Sequence, residues 1–319
     1  MRLSIVVPCF NEQDVLPELY QRVTSIAQQV AYADYELVLV NDGSTDATWM
    51  MIQSWARTDK HLIGINLTRN FGHQAALTAG LEHTSGERIL IIDADLQDPP
   101  ELLPEMMAAL DNGADVAYGK RLSREKESLF KRSSAALFYR LLAQLSDVEI
   151  PLDAGDFRLM TRRVLEAFRS MPERQRFIRG MIAWTGFNQV AVPYHRRGRS
   201  AGASKYPLQK MLSFAAGAIA SFSISPLRVS VFFALVFAMM GGVGLVYVLF
   251  SWLALDHVKG WTSLAAIVCI LGSTQLLVIG ILGEYIGRIY METKSRPLYL
   301  IEGIIGNHSP TERVDTHQQ

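Results

Sequence analysis

Two long stretches without a charged side chain dominate the second half of the chain, Val229 to Leu255 and Gly260 to Gly283. Each exceeds the roughly 18–20 apolar residues that a helix needs to cross a bilayer core. The polar turn between them has only four residues, Asp256 to Lys259. A hairpin buried in a soluble protein is the competing reading. Two such long spans joined so tightly suit a membrane better, because each helix satisfies its own backbone in lipid. Trp252 and Trp261 flank the turn, where interfacial aromatics belong.

The basic residues lie outside the spans. Lys205, Lys210 and Arg228 precede them, Arg288, Lys294 and Arg296 follow, and the turn offers only Lys259. The positive-inside rule then places both ends in the cytoplasm. Met211 to Leu227 is uncharged but rich in alanine and serine, and Pro226 would stop a helix. It reads as a helix lying in the membrane interface. A third crossing there would reverse the topology and put the basic C-terminal flank outside. From Asn307 onward the sequence is polar and is expected to be disordered.

The first 210 residues have a different character, with acidic and basic side chains interspersed as on ordinary solvated surface. The formal net charge is zero, so no global basic field marks the chain as a nucleic-acid binder. Residues 1–8 read as a short strand followed by charged sequence, not as a secretory signal, so this part is expected to stay cytoplasmic. Cys9 and Cys269 fall in a strand pattern and an apolar span. They read as two separate buried thiols in a reducing compartment.

Short apolar runs alternate here with amphipathic stretches. The runs are Leu3–Val7, Glu36–Val40, Leu62–Leu67, Arg88–Ile92 and Asp115–Tyr118, with helical patterns near 13–29, 46–57, 74–84 and 101–112. The runs are rich in Val, Ile and Leu without alternation, as in strands buried on both faces. Strand–helix alternation of this kind predicts an α/β domain with a mainly parallel sheet. Ligands of such sheets sit at the carboxyl ends of the strands.

Those ends carry Pro8-Cys9-Phe10-Asn11-Glu12, Asn41-Asp42-Gly43-Ser44-Thr45-Asp46, Arg69-Asn70-Phe71-Gly72-His73 and Asp93-Ala94-Asp95-Leu96-Gln97-Asp98-Pro99-Pro100. No G-x-G-x-x-G follows the first strand and no G-x-x-x-x-G-K-[ST] occurs, which argues against a dinucleotide site or a P-loop. Asp93 and Asp95, two residues apart at a strand end, can share a hard divalent cation, with Gln97 adding a neutral oxygen. Such an ion keeps positions open for phosphate oxygens. Helix capping is the competing role, and it is the one expected of Asp98. Asn41 to Ser44 makes a good turn, with Ser44 or Thr45 as caps for the next helix. Its functional reading has the Asp42 carboxylate accepting hydrogen bonds from a nucleotide base.

Together these residues resemble the family 2 inverting glycosyltransferases of the GT-A fold, and more closely their polyisoprenyl-phosphate branch. That branch includes dolichol-phosphate mannose synthase, the undecaprenyl-phosphate glucosyltransferases of O-antigen modification and the aminoarabinose transferase of lipid A modification. The resemblance runs from Leu3 to about Tyr299. It rests on the strand-end motifs above, on Gly155-Asp156-Phe157-Arg158-Leu159, on Arg199, Gly202, Ser204 and Lys205, and on Gly283-Glu284-Tyr285-Ile286-Gly287-Arg288-Ile289-Tyr290. His73 departs from the pattern, since lysine is frequent after Asn-Phe-Gly.

The resemblance implies a division of labour. Pro8, Phe10, Glu12 and Asp42 would hold the base and ribose of the donor, with Asp93 beside them. Asp93, Asp95 and Gln97 would line a site for Mg2+ or Mn2+ and diphosphate. Asp156 stands where the family's proposed catalytic base lies, with Asp95 and Arg199 also counted as catalytic. Arg121, Lys131, Ser134, Arg196, Arg199 and Lys205 match positions expected near an acceptor phosphate. The expected layout is a GT-A catalytic domain at 1–210, an interfacial helix at 211–228, a two-helix transmembrane hairpin at 229–289 and a tail at 290–319.

The implied activity is inverting transfer of one hexose, glucose from UDP-glucose as first choice, to undecaprenyl or a related polyisoprenyl phosphate at the cytoplasmic face. GDP-mannose and UDP-aminoarabinose are alternative donors, and homo-oligomerisation stays open. A nucleotidyltransferase would share the acidic sheet ends but release pyrophosphate. A non-catalytic subunit would be expected to lack Asp95 or Asp156. A processive polysaccharide synthase would need more spans and a Gln-x-x-Arg-Trp motif, which the sequence lacks.

Overall fold

The structure is a computed structural model that describes residues 2–31, 34–122, 154–174, 176–195 and 261–306, with scattered helical positions between 236 and 250. One unit holds the described residues up to 195 and those from 296, and the other holds the long C-terminal helix.

In the first unit β1 (Leu3–Cys9), β2 (Tyr35–Asn41), β3 (Leu62–Leu67) and β4 (Arg88–Ile91) are mutually parallel, in the order β4-β1-β2-β3. Every residue of these strands is buried. Burial on both faces explains why the apolar runs do not alternate. Helices α1 (Leu16–Ala31), α2 (Thr48–Ala56) and α3 (His73–Glu82) make the crossovers. α4 (Leu103–Asp111) follows a 3-10 turn at Pro100–Leu102. The chain steps from β1 outward to β2 and β3, then returns to the far side of β1 as β4. This reversal opens a crevice at the carboxyl ends of β1 and β4.

Three more strands extend the sheet beyond β4. They are β5 (Val116–Arg121), β6 (Ala154–Thr161) and β7 (Gln189–Tyr194), giving the order β7-β5-β6-β4-β1-β2-β3-β8. β6 runs antiparallel between β4 and β5, with Ile91 opposite Arg158. Its reversed direction places its amino end, with the Gly155–Leu159 motif, at the carboxyl end of β4. α5 (Arg162–Arg169) and α6 (Ile178–Trp184) lie between β6 and β7.

The last strand lies within the stretch expected as a tail over 290–319. β8 (Ile301–Gly306) pairs antiparallel with β3 and closes that edge of the sheet. Its residues alternate between half-buried and exposed, as on an edge strand with one solvated side. Six such residues behind an apolar span give little sequence signal. Residues from Asn307 lie outside the described residues.

In the second unit α7 (Trp261–Thr293) is a single helix of 33 residues. At 1.5 Å per residue it is about 50 Å long, more than a ~30 Å hydrocarbon core requires. Its stretch Ile270–Thr293 is apolar enough to cross a membrane and presents no buried surface, the one such helix among the described residues. Glu284 and Arg288, one turn apart on it, pair at 2.9 Å. The expected interfacial helix at 211–228, and most of the span from Val229 to Leu255, lie outside the described residues. The positions described between Val236 and Phe250 are helical.

Candidate active site

The loops after β1 and β2 are laced together at the crevice. Asn11, in the left-handed region at φ 56°, accepts the Thr45 N–H on Oδ1 at 2.8 Å, and its own N–H donates to Ser44 Oγ at 3.0 Å. Gln13 donates its N–H to Asp46 Oδ2 at 3.2 Å and accepts the Ala47 N–H at 3.0 Å. Ser44 and Thr45 are therefore spent on the neighbouring loop and do not cap α2. Asp46 accepts the Thr48 N–H at 3.0 Å instead. On this wall Pro8 is buried within β1, Glu12 is half-buried with its N–H on Thr48 Oγ1, and Phe10 is 44% exposed.

Asp42 faces inward. Its two oxygens accept the Phe71 N–H at 2.7 Å and the Gly72 N–H at 3.0 Å. Asp42 thus also braces the loop after β3. Gly43 is obligatory beside it: φ is 65°, and a Cβ would come within 2.4 Å of the Arg69 carbonyl carbon.

Asp93 and Asp95 follow β4. Asp95 Oδ1 accepts the Gln97 N–H at 3.1 Å, an Asx turn that Leu96 completes at φ 57°. Gln97, expected to offer a side-chain oxygen, is buried, and the contact it shows is through its backbone. Asp98, expected as a helix cap, is wholly buried and accepts a hydrogen bond from the Tyr194 hydroxyl on β7. Burial, with repulsion from Asp156, Asp98 and Asp95, pushes the Asp93 carboxyl up to about 6 against the pull of His73.

Asp93 Oδ1 is buried and accepts no hydrogen bond. A buried carboxylate oxygen left in this way fits a hard cation. No group of three His, Cys, Asp or Glu side chains among the described residues is placed to hold a metal alone. Asp93 and Asp95 would supply the protein's share, and phosphate oxygens and water the rest.

Asp156, on β6, joins this acidic centre. His73 Nε2 lies 3.1 Å from Asp156 Oδ2 and 3.5 Å from Asp93 Oδ1. Gln74 Nε2 donates to the same Oδ2 at 3.0 Å, while its Oε1 accepts the Ile178 N–H at 2.9 Å. Asp156 Oδ1 is buried and accepts no hydrogen bond. Burial alone would raise the Asp156 carboxyl. The His73 hydrogen bond and the charges of Arg158 and Arg179 outweigh it and hold the group at about 2. Arg158 donates to the backbone carbonyls of Gly155 at 3.0 Å and Asp156 at 3.4 Å.

Arg121 is the one expected phosphate-binding residue among the described residues. Its Nε donates to the Tyr194 hydroxyl at 3.2 Å, Nη2 is 3.8 Å from Asp98, and a Cβ at Gly155 would come within 2.7 Å of Nη2. It therefore stands beside the residue that precedes Asp156. Lys131, Ser134, Arg196, Arg199 and Lys205 lie outside the described residues. The structure adds Asn11, Gln13, Gln74, Arg179 and Tyr194 to the site. Gln74 directly follows the Asn-Phe-Gly-His motif, and Arg179 sits in Phe177-Ile178-Arg179-Gly180. Those neighbours were the available signals.

The strand-end motifs, the crevice and its carboxylates agree with the comparisons to known proteins. Residues 4–169 match the family model described as glycosyl transferase family 2, and residues 225–289 match that of the GtrB C-terminal hairpin. An uncharacterized glycosyltransferase of Bacillus subtilis is 42% identical, over 99% of this chain and 98% of its own length. A bactoprenol glucosyl transferase of Shigella phage SfX is 41% identical, over 95% of this chain and 99% of its own. A prophage bactoprenol glucosyl transferase homolog of Escherichia coli is 40% identical, with 95% and 99% covered. The protein is a glycosyltransferase with a GT-A-like, mostly parallel sheet, and it belongs to glycosyl transferase family 2.

Proposed function

We propose that the enzyme transfers one hexose, glucose from UDP-glucose as first choice, with inversion onto undecaprenyl or a related polyisoprenyl phosphate at the cytoplasmic face of the membrane. The observation that carries this reading is the similarity to the phage bactoprenol glucosyl transferase along 95% of the chain. The catalytic unit and the apolar C-terminal stretch are both included in that match. The acidic centre adds chemical support. A divalent cation there would neutralise the leaving nucleoside diphosphate.

The chain's own groups have separable tasks. The laced loops around Asn11 and Ser44 form the wall against which base and ribose would pack, with Phe10 exposed for stacking. Asp42 keeps the third loop in place behind that wall. Asp156, whose Oδ1 accepts no hydrogen bond, would orient the reacting groups. Arg121 brings positive charge close by, and Lys131, Ser134, Arg196, Arg199 and Lys205 are proposed to hold the acceptor phosphate. Two spans and the interfacial helix would keep the lipid tail in the bilayer while its head group reaches the site.

The test is a membrane assay with labelled nucleotide-sugars and identification of the glycolipid formed. Glucose transferred from UDP-glucose to the lipid phosphate, with UDP released, is the expected result. Transfer from GDP-mannose or a UDP-aminoarabinose donor instead would move the assignment within the branch. Pyrophosphate release would overturn it in favour of a nucleotidyltransferase.

A further inference from the structure

Behind the wall of the nucleotide site a row of side chains runs outward to the last strand. Glu302 on β8 accepts a hydrogen bond from Asn66 Nδ2 at 2.6 Å. Asn66 Oδ1 accepts one from Asn41 Nδ2 at 2.6 Å. Asn41 Oδ1 accepts the backbone N–H of Ser44 at 3.2 Å, and Ser44 Oγ accepts the N–H of Asn11. Asn41 and Asn66 are 2% and 9% exposed, so water has little access to the inner links.

Direction is what gives this row its meaning. A primary amide can face either way, and its partners decide which. A backbone N–H only donates, so Ser44 requires Asn41 to present oxygen. That turns the Asn41 NH2 to Asn66 and the Asn66 NH2 outward. A carboxylate only accepts, so Glu302 enforces the same sense from the other end. Each link also polarises the next. The residues leading into β8 are held at two further points: the Thr68 N–H donates to the Leu300 carbonyl at 3.0 Å, and the Tyr299 hydroxyl bonds to Glu82.

We propose that Glu302 is a positioning residue for nucleotide binding. It fixes the two asparagines in the orientation that shapes the 41–46 loop, so the segment after the apolar helix in sequence completes the donor site. The proposal rests on the reading that this loop walls the nucleotide site. The stakes are those of buried amides: reversed, the pair would set Asn41 NH2 against the Ser44 N–H, donor facing donor.

The test uses the full chain in detergent with Mn2+, titrated calorimetrically with UDP and, in parallel, GDP, together with turnover at saturating donor. Glu302→Ala should weaken nucleotide binding about tenfold and leave turnover at saturating donor within about twofold. Asn66→Asp, which sets carboxylate against carboxylate, should weaken binding at least as much. Combining Asn66→Asp with Glu302→Gln should restore it to within about twofold. The glutamine amide can then donate to the new carboxylate, which still accepts from Asn41. A merely structural role would lower thermal stability without that rescue. Unchanged nucleotide affinity in Glu302→Ala, or a double variant no better than Asn66→Asp alone, overturns the proposal. If Asn66→Asp does not fold, the Glu302→Ala affinity decides alone. A wild type that binds neither nucleotide sinks the donor-wall reading itself, a result distinct from a wild type that binds and a Glu302→Ala variant that binds equally well.

Discussion

His73 and Asp156 meet across the crevice, with Nε2 3.1 Å from Oδ2, and the contact joins the first turn of α3 to the start of β6. Gln74 donates to the same oxygen. One carboxylate oxygen therefore carries two side-chain donors while the other carries none. This asymmetry fixes the rotation of the Asp156 carboxylate and leaves Oδ1 buried without a hydrogen-bond donor. His73 also reaches toward Asp93 at 3.5 Å, so one imidazole spans the two carboxylates the site most depends on.

The first prediction concerns the cation. Asp95→Asn should leave the protein folded but reduce activity at least a hundredfold, because a ligand charge is lost where metal and diphosphate bind together. Excess chelator should do the same to the wild type. Mn2+ at about 100 times its dissociation constant should also stabilise the wild type by about 2.7 kcal/mol, and the variant far less. Full activity in excess chelator would remove the metal assignment.

The second prediction separates stability from catalysis. Glu36, 2% exposed at the amino end of β2, accepts hydrogen bonds from Arg2 at 2.9 Å, Ser4 Oγ at 2.5 Å, and the Ser85 N–H and Oγ at 2.5 and 2.8 Å. Glu36→Gln turns an NH2 toward these donors and should cost about 1.5–3 kcal/mol. The site lies at the opposite, carboxyl end of the strands, so turnover per folded molecule should hold. Thermal denaturation and specific activity measured together test both halves, and a large loss of turnover in folded protein would contradict the separation.

The parallel half of the sheet was legible because β1 to β4 are buried on both faces and read as unbroken apolar runs. β6 was recognised as a motif and not as a strand, since Asp156 and Arg158 interrupt its apolar pattern. Asp93, Asp95 and Asp156 could be placed near one another from strand ends and resemblance. Their partners could not. Nothing local pairs Gln74 with Ile178, 104 residues later, or Asn66 with Glu302, 236 residues later. Asp42 and Asp98 show the same limit: a carboxylate's partners come from tertiary packing, here the Phe71 and Gly72 N–H groups for Asp42 and the Tyr194 hydroxyl for Asp98.

The third prediction is topological. The positive-inside argument puts the turn at His257 outside the cytoplasm and residues 1 and 319 within it. His257→Cys should react with an impermeant thiol reagent added to intact spheroplasts, and Ser309→Cys should not. The reverse pattern would invert the topology, and labelling of neither would place the hairpin wholly on the cytoplasmic side.

The last prediction asks what Asp156 does. A general base is useful when the nucleophile carries a proton at working pH and the base can hold it. A phosphate monoester has a second pKa near 6, so above that most of the acceptor is already a dianion. Asp156 is a poor proton acceptor as well: against the upward push of burial, His73, Arg158 and Arg179 hold it at about 2. The sign follows from that depression. Relative to an unfolded aspartate near 3.9, its contribution to stability is complete above that pH and is lost as pH falls toward 2. Between pH 6 and 8.5 the group therefore stays ionised, and the expected role there is to orient and to place charge. Asp156→Asn should lose activity by a similar factor at pH 6 and pH 8.5 under saturating lipid acceptor. A variant that fails at pH 6 but recovers most of the wild-type rate at pH 8.5 would show instead that Asp156 removes a proton from the acceptor monoanion.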